Sequence, residues 1–417
     1  MTDRINGILW GPATIALILL SGVYFTLITG FIQLRFPRLL KGSGKNRLKA
    51  VTSALAASMG TGNITGCAAA IAAGGAGAVF WMWLSAFFGM ATAYEENRLG
   101  AQYGRKYPTQ KASPMLYMEK GLQCKPLAVL YAAGCLLSAF AMGCMSQSGA
   151  MTESVSVGTG IPVHITAILI AALTAAVIFS AESACGAVMR AAEKAVPVMG
   201  VFYAVSCIAL VMINSAHVPS LFAEIFTDAF TPRAAAGGAA GITVKTAMSI
   251  GLRRGVFSNE AGMGSSVLVH SEADFGTPES VGAWAAFEVF LDTMVCCTLT
   301  ALAILSSPRY QGGAPLDITA IFTEGMGKTG GIVICISISL FAMASLLGWC
   351  IYGEKCLLYL TKSEKADNCY RLLYVIAAAA GAIVPLDVSM GIADICIAAL
   401  IFPNIAAVVI LSHKSHG

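Results

Sequence analysis

Long apolar stretches recur along the whole of this 417-residue chain and constrain its fold more than any other feature. A helix that crosses about 30 Å of hydrocarbon needs roughly 20 mostly apolar residues. By this rule the chain contains about eleven such segments, with approximate centres at residues 20, 62, 88, 140, 170, 204, 257, 293, 343, 380 and 400. Because 57% of the residues are hydrophobic and only 12% are charged, a water-soluble globular domain of this size is excluded. The sequence predicts an all-α polytopic membrane protein embedded in a lipid bilayer.

Basic residues are concentrated in alternate loops, beginning with the loop that follows the first apolar segment. Cytoplasmic loops of membrane proteins carry an excess of Lys and Arg, which predicts that this loop is cytoplasmic. An odd number of crossings then places the N-terminus outside and the C-terminus in the cytoplasm of a cell membrane. No aromatic or helical reading surface accompanies the charges, so nucleic acid is not an expected partner. The basic residues of this loop are Arg35, Arg38, Lys41, Lys45, Arg47 and Lys49.

Thirteen cysteines lie mostly within the apolar segments and lack the paired spacing of metal ligands. We expect them to be small buried hydrophobic side chains, without a zinc site, a disulfide framework or an organic cofactor. The N-terminal apolar segment, from about Ile8 to Ile32, is longer than the core of a signal peptide. It is therefore expected to remain as a spanning helix.

The second apolar segment is interrupted by the residues "GTGN". A broken helix exposes backbone N–H groups at one half and C=O groups at the other, which is costly in hydrocarbon unless something binds them. The N-terminus of a half-helix suits a carboxylate, whereas carbonyls suit an ammonium group or a hard cation such as sodium. Gly60, Thr61, Gly62 and Asn63 are therefore predicted to cradle a substrate carboxylate. Tight packing of small residues is the alternative, but such packing does not require Asn63.

The seventh apolar segment, which contains "GVFSNEAGMGS", is predicted to be broken as well. It carries Arg253, Arg254 and Glu260 at a depth where a continuous lipid-facing helix could not hold them. With the first segment set aside, each break falls in the first helix of a five-helix half, which is the pattern of a transporter with inverted repeats. The predicted divisions are an N-terminal helix and basic loop at 1–49, a first repeat at 50–214, and a second repeat with its preceding extracellular loop at 215–412.

Four stretches of the sequence resemble signatures of the alanine or glycine:cation symporter family, the sodium:alanine symporters. They are "SALAASMGTGNITG", "GGAGAVFWMWLSAFFGMATAYEE", "AAAGGAAGITVKTAMSIGLRRGVFSNEAGMGSS" and "LLGWCIYGEKC", in the order and spacing of the family. The resemblance extends from "WGP" at 10 to 12 through the eleventh segment. It implies a LeuT-type fold, with ten core helices in a 5+5 inverted repeat after one extra N-terminal transmembrane helix. It also implies sodium-driven uptake of small neutral amino acids.

A few positions depart from the pattern of that family. In the fourth segment Gln147 is retained, but Cys144 and Gly149 stand where the family commonly carries asparagines. In the ninth segment Ala344 and Ser345 stand where paired threonines are usual, so one hydroxyl near an expected cation site is missing. These departures bear on the choice of amino acid and of ion.

Residues of the second break are predicted to form one side of the substrate site. Phe257 and Ser258 are expected to border the substrate, with backbone carbonyls available to its amine. Asn259 and Gly262 belong to the same unwound segment and are included in the predicted site. For Glu260 we favour stabilisation of the unwound backbone, or pairing with one of the two preceding arginines, over direct ligation of a cation.

Side chains from other helices complete the predicted site. Gln147 lies in an otherwise apolar helix and needs a hydrogen-bond partner, either the substrate or a broken helix. Trp349 is predicted to form a wall that limits the size of the substrate side chain, with simple packing as the alternative. Sodium is the expected coupling ion, bound by Ser345 and by carbonyls near Ser58 and Met59. A Ser345 hydroxyl bonded to its own helix is the alternative.

Acidic residues inside apolar segments are further candidates for function. Asp292 would either tune cation or proton coupling or hold a buried structural hydrogen bond, and the same holds for Glu288 one turn earlier. Glu96 and Arg98 fall near the end of the third segment, where we expect them to lie at the cytoplasmic membrane interface.

The sequence thus predicts a secondary active transporter that carries alanine, glycine or a similar small neutral amino acid inward with sodium by alternating access. One alternative keeps the fold and makes protons the driving ion. Another is a channel, since broken helices can also line a pore. An enzyme is not predicted, because the sequence contains no recognisable nucleophile–base pair, metal cluster or nucleotide loop. No oligomeric state is predicted.

Overall fold

The computed structural model describes residues 2–40, 60–180, 182–214, 218–231, 243–270, 276–310 and 316–416. Every regular element in these ranges is helical. The α-helices, numbered in chain order, are α1 (Thr2–Leu9), α2 (Pro12–Ile28), α3 (Ile32–Leu40), α4 (Thr65–Gly74), α5 (Gly77–Lys106), α6 (Lys125–Thr159), α7 (Val163–Ile178), α8 (Glu182–Ile213), α9 (Val218–Phe230), α10 (Val244–Asn259), α11 (Ser265–His270), α12 (Pro278–Leu305), α13 (Ile318–Thr361), α14 (Glu364–Ile383) and α15 (Leu386–His416).

Five helices in the described ranges, α5, α6, α12, α13 and α15, are long and apolar enough to cross a membrane. The number is seven if two bent pairs, α2 with α3 and the second half of α8 with α9, each count as one span. Large apolar side chains such as Leu20, Ile168 and Ile376 are exposed on the outside of the bundle. A helical bundle with an apolar exterior suits a bilayer, because helices satisfy their backbone hydrogen bonds internally. The number of about eleven spans stays a prediction.

Helix α5 packs extensively against both α10 and α12, and α10 also packs against α4. Small residues permit this close approach. A Cβ added to Gly251 of α10 would lie 2.4 Å from the backbone oxygen of Ala78, and one added to Gly255 would lie 2.7 Å from Ser85. The backbones of α5 and α10 are therefore in direct contact, which fixes the end of α10 beside α4.

At both predicted interruptions the described residues are not regular α-helix. Residues Thr61–Asn63 form a single 3₁₀ turn before α4 begins. Between α10 and α11 the chain turns through Glu260, Gly262 and Gly264, all three with positive φ. The second break is therefore confirmed, although it begins after Asn259 and leaves Phe257 within α10. The chain preceding Gly60 lies outside the described residues.

Two long helices contain a π-helical turn in their middle. Residues Ala139–Met145 form such a turn in α6, just before Gln147. Residues Phe290–Cys297 form another in α12 and contain Asp292. A π-turn adds a residue to the helical turn and rotates the following side chains, and such turns are frequent at functional sites. The turn in α12 places Asp292 beside Ser258, and the turn in α6 directly precedes Gln147, which contacts Thr61.

Candidate functional site

The 3₁₀ turn at residues 61–63 lies against the last turn of α10. A Cβ added to Gly62 would lie 2.9 Å from the Cα of Ser258 and 3.3 Å from the ring of Phe257. Only glycine fits this contact without displacing backbone. One turn further along α4, the same construction at Gly66 gives an ordinary contact of 3.5 Å to Phe257. The two interrupted segments therefore meet, as the sequence predicts, and they meet at Gly62.

Next to this contact lies a buried polar group, the Asp292 cluster, formed by Asn63, Ser258, Asp292 and Thr293. The hydroxyl oxygen of Ser258 lies 2.6 Å from Asp292 Oδ2 and 3.0 Å from Asn63 Oδ1. Thr293 donates its hydroxyl to Asp292 Oδ2 at 2.9 Å. All four side chains are buried. Two of their polar atoms, Asp292 Oδ1 and Asn63 Nδ2, have no hydrogen-bond partner within the described ranges.

The Asp292 cluster has the chemistry of a site for a hard cation. Its members offer carboxylate, amide and hydroxyl oxygens, which are the ligands that hard cations prefer. A carboxylate buried at this depth is strongly destabilised unless a cation or a proton neutralises it. In the described part of the chain, no group of three or more His, Cys, Asp or Glu residues could hold a transition metal. The unpartnered Asp292 Oδ1 is the atom that a bound cation would satisfy.

On the other side of the 3₁₀ turn, helices α6 and α13 supply two of the predicted residues. Gln147 accepts hydrogen bonds with its Oε1 from the Thr61 hydroxyl at 2.8 Å and from the Thr61 backbone N–H at 3.3 Å. A Cβ added to Gly60 would lie 3.1 Å from the Ser345 hydroxyl. Gln147 thus has the broken helix as its partner. The other two predicted sodium ligands, Ser58 and Met59, lie outside the described residues.

Trp349 is fully buried one turn from Ser345 on the same face of α13. Its indole nitrogen donates to Glu260 Oε1 at 3.0 Å, and Ser265 donates to Glu260 Oε2 at 2.5 Å. The carboxylate therefore caps the break between α10 and α11 through side chains. Its predicted pairing with an arginine is not found in the structure. Arg254 lies 2.8 Å and Arg253 3.4 Å from Asp394 of α15 instead.

Two backbone carbonyls of the second break accept hydrogen bonds from side chains. The Tyr131 hydroxyl donates to the Met263 carbonyl at 2.8 Å, and Asn404 Nδ2 donates to the Gly262 carbonyl at 2.9 Å. A Cβ added to Gly262 would face Ile405 of α15, so this residue is directed away from the Asp292 cluster. Gly262 is therefore not brought together with the other predicted site residues. The Gly262 and Met263 carbonyls of the predicted segment thus already accept hydrogen bonds from side chains.

The Oδ1 and Nδ2 atoms of the Asn259 side chain each have a hydrogen-bond partner within the protein. Its Oδ1 accepts from the backbone N–H of Ala261 at 3.1 Å, and its Nδ2 donates to the Thr293 hydroxyl at 3.2 Å. The residue thus ties the second break to α12 and to the edge of the Asp292 cluster. Phe257 is buried beside the 3₁₀ turn, and the Arg254 guanidinium lies 5.5 Å from its ring centroid.

Glu96, which the sequence predicts at the cytoplasmic membrane interface, lies in the interior of the helical bundle. Its side chain is fully buried, and Asn404 Nδ2 donates to its Oε1 at 2.6 Å. Arg98 is buried too, and it pairs with Glu95 at 2.9 Å. The role of Asn404 could not be predicted from the sequence, because a single asparagine in an apolar segment has many possible partners. Asn404 and Glu96 are 308 positions apart, so their contact is not visible in the sequence.

A cavity of about 220 Å³ opens beside α4, between α6, α13 and α15. Thr65 lies in its wall and donates its hydroxyl to the backbone carbonyl of Thr61 at 2.9 Å. Thr65 therefore links the wall of the cavity to the 3₁₀ turn. Three carboxylates also line it, those of Glu153, Asp317 and Asp387.

The two departures from the family pattern in α6 point towards α14. The Cys144 thiol donates to the Tyr374 carbonyl at 3.3 Å. A Cβ added to Gly149 would lie 3.1 Å from the carbonyl oxygen of Gly381. Both positions thus belong to the packing between α6 and α14, whereas Gln147 turns towards the 3₁₀ turn.

An all-helical membrane bundle in which two interrupted helices meet at a buried polar site defines a secondary transporter of the LeuT-type fold. The solved structure described as "Crystal structure of MhsT in complex with L-phenylalanine" has this fold and matches with a TM-score of 0.58, at 14% identity, over 88% of this chain and 98% of that chain. The model of the sodium:alanine symporter family matches residues 1–416. The chain belongs to that family.

Two relatives illustrate the range of the family. The "Sodium/alanine symporter AgcS" of Methanococcus maripaludis is 35% identical over 435 residues, covering 99% of this chain and 94% of that protein. The "Probable sodium/glutamine symporter GlnT" of Bacillus subtilis is 33% identical, covering 98% of this chain and 87% of that protein. This chain is accordingly a multi-pass membrane transporter of the amino-acid:cation symport type, and not an enzyme.

Proposed function

We propose that the protein carries a small neutral amino acid, alanine or glycine, together with sodium by alternating access. The observation that carries this proposal is the unpartnered, buried Oδ1 of Asp292 beside the contact between the two interrupted helices. A buried carboxylate with a vacant acceptor recruits a cation, and the helix break beside it recruits a zwitterion. The similarity to a sodium/alanine symporter supports the same pairing of solutes.

Sodium would be held by the oxygens of Asn63, Ser258 and Asp292, which come from the 3₁₀ turn, α10 and α12. Three separate elements would thus converge on one ion, so binding it would hold the two interrupted helices together. When bound, sodium supplies the positive charge that neutralises Asp292 and attracts a carboxylate. Ser345, with the carbonyls near Ser58 and Met59, remains our proposal for a second position on the opposite side of the turn.

The amino acid would bind on the 3₁₀ turn, with its carboxylate towards the backbone of residues 60–63. Gly60 and Gly62 carry no side chain that would shield their backbone N–H groups from the carboxylate. Phe257 would border its side chain, and Trp349 would limit the size of that side chain from α13. A small side chain fits such an enclosure, and this argument favours alanine or glycine over glutamine.

The proposal includes an orientation in the cell membrane, with the N-terminus outside and the C-terminus in the cytoplasm. It follows from the basic loops of the sequence. It also includes the divisions at 1–49, 50–214 and 215–412, because each of the two repeats would begin with one interrupted helix. In this orientation the 220 Å³ cavity beside α4 opens to the outside.

A proton-coupled symporter of the same fold is the second candidate, and the same atom supports it. A proton on Asp292 Oδ1 would neutralise the buried carboxylate as effectively as a cation would. Such a transporter would need no further oxygen ligands, so the convergence of Asn63 and Ser258 on Asp292 favours sodium.

Uptake by the purified protein in proteoliposomes separates these candidates. Radiolabelled alanine should accumulate in the proteoliposomes when an inward sodium gradient is imposed and the pH is the same on both sides. It should not accumulate with an inward proton gradient in sodium-free buffer. Accumulation under the proton gradient alone, abolished by Asp292→Asn, would establish the proton-coupled candidate instead. Unsaturable flux that follows the alanine gradient without either ion would indicate a channel.

A further inference from the structure

A second buried polar group lies at the end of α11, apart from the Asp292 cluster. His270 is the last residue of α11, and only 2% of its surface is exposed. Its Nε2 lies 2.7 Å from Glu288 Oε1 on α12, and its Nδ1 lies 2.7 Å from Asn97 Oδ1 on α5. Both ring nitrogens therefore have an oxygen partner, and each partner belongs to a different long helix.

The hydrogen-bond network determines where the protons of this group lie. Asn97 Nδ2 donates to the Ala93 carbonyl at 2.8 Å and to the Ser266 hydroxyl at 2.8 Å, so its Oδ1 must face the ring. An amide oxygen only accepts, hence His270 Nδ1 carries a hydrogen. The Nε2 atom and the carboxylate oxygen of Glu288 can then form a hydrogen bond only if one further proton lies between them. The imidazole–carboxylate pair thus binds one proton in addition to that on Nδ1.

The surroundings of the pair make this proton important for the contact. Without it, a nitrogen lone pair would face a carboxylate oxygen at 2.7 Å in a buried site, and the two would repel. Among the described residues, Glu260 of the second break and Tyr352 of α13 line the same small cavity as the pair. Lys355 of α13 donates to the Leu268 carbonyl of α11 at 2.6 Å, and Asp292 lies one turn along α12. On α5 the neighbouring charged residues are directed to α15, where Glu96 meets Asn404 and Glu95 accepts from Ser412.

A small cavity of about 20 Å³ adjoins the pair. Its walls include the polar side chains of Asn259, Glu260, Ser266, His270 and Glu288. This is room for one water molecule with several hydrogen-bond partners. The cavity gives the pair a polar connection to the second break.

We propose that His270 and Glu288 form a proton-binding site that fastens α11 to α12 and α5. The described part of helix α11 spans six residues, and it follows the break that the proposed function makes part of the transport site. The bound proton supplies the bond to α12, while Asn97 supplies the bond to α5. Release of the proton weakens the first of these attachments and leaves the second. The role of this attachment in transport rests on the proposed function, whereas proton binding itself does not.

Thermal unfolding of the full-length protein in detergent tests this proposal without substrate or sodium. In the unfolded chain an ordinary histidine loses its charge above a pKa of about 6.5. A proton that is bound by the native pair and absent from the unfolded chain makes stability fall as pH rises. In Glu288→Gln the amide can donate to a neutral imidazole, so no additional proton is needed. The proposal therefore predicts that the unfolding temperature of wild type falls above about pH 6.5, relative to that of Glu288→Gln.

The matched control is Glu279→Gln, which removes an exposed carboxylate from the first turn of the same helix. Its unfolding temperature should follow the wild-type pH dependence. If Glu288→Gln does not fold, His270→Gln serves as the second variant, since its amide can donate to Glu288 without titrating. Parallel pH curves for wild type and the variant at position 288 or 270 would overturn the proposal. Diverging curves from a protein that shows no sodium-driven uptake would defeat the proposed function and leave the proton site intact.

Discussion

The hydroxyl oxygen of Ser258 on α10 lies 2.6 Å from Asp292 Oδ2 on α12, although 34 positions separate the two residues. The same hydroxyl lies 3.0 Å from Asn63 of the first interrupted segment. The last turn before the second break therefore links the first break to a buried acid. Asp292 lies in the π-helical turn of α12, so the local geometry of that turn determines where its side chain points.

Asp292→Asn should weaken sodium binding with little change in fold. The amide keeps the shape of the side chain but loses the charge that attracts the cation. We expect the apparent affinity for sodium to fall at least about tenfold, equivalent to about 1.4 kcal/mol. Sodium-dependent uptake of alanine measured across a series of sodium concentrations checks this. Glu279→Gln removes an exposed charge from the same helix and should leave the affinity unchanged; an unchanged affinity in Asp292→Asn would remove this carboxylate from the cation site.

Gly62→Ala should impair both stability and uptake, whereas Gly66→Ala should be tolerated. The new Cβ at position 62 would lie 2.9 Å from the Ser258 Cα, where only backbone movement can make room. Overpacking of this kind costs about 1–3 kcal/mol. At position 66 the corresponding distance of 3.5 Å is an ordinary contact. Thermal unfolding and alanine uptake of both variants provide the comparison, and equal behaviour of the two would contradict the close contact at Gly62.

Trp349→Ala should broaden the accepted amino acids towards larger side chains. The substitution removes the proposed wall on α13, and it also removes the hydrogen bond to Glu260. Trp349→Phe separates these effects, because it keeps most of the wall and loses only the bond. Competition of unlabelled amino acids with alanine uptake measures the preference. Trp284→Ala, which truncates a buried tryptophan outside the site, controls for general loss of packing; a preference that stays unchanged in Trp349→Ala would refute the wall.

Asn404→Leu should destabilise the protein, because two buried acceptors lose their hydrogen-bond donor. Glu96 and the Gly262 carbonyl would both remain buried without Asn404. An unsatisfied buried group costs about 1–3 kcal/mol, more when it is charged. Asn214→Leu is the control, since within the described residues that side chain donates to the Leu210 carbonyl of the preceding helix α8. Thermal unfolding of the two variants should differ clearly in midpoint, and similar midpoints would show that the Asn404 contacts contribute little.

The main architecture and the two interruptions follow from local properties of the chain. Apolar length predicts helices in a bilayer, and the glycines around Gly62 and Gly262 predict where those helices stop. The sequence also identified Gln147, Phe257 and Ser258, and the structure places these near the 3₁₀ turn. Their role in binding an amino acid stays a prediction.

The pairing of polar residues could not be predicted, because it depends on contacts between distant parts of the chain. Arg254 is six positions from Glu260 in the sequence, yet it pairs with Asp394, 140 positions away. The contact between Glu96 and Asn404 could not be predicted for the same reason. A single intramembrane acid such as Asp292 signals function without naming its partners. The helix breaks depend on neighbouring residues in the sequence, whereas the polar contacts between them depend on the tertiary structure.

Substrate-induced thermal stabilisation, measured with and without sodium, tests the central claim most directly. If alanine and sodium occupy adjoining parts of one site, each must strengthen the binding of the other by the same factor. We predict that alanine raises the unfolding temperature strongly in sodium buffer and weakly in its absence, with a smaller response to glutamine. The sodium effect should be lost in Asp292→Asn. An alanine-induced rise of equal size in sodium-free buffer would contradict the account.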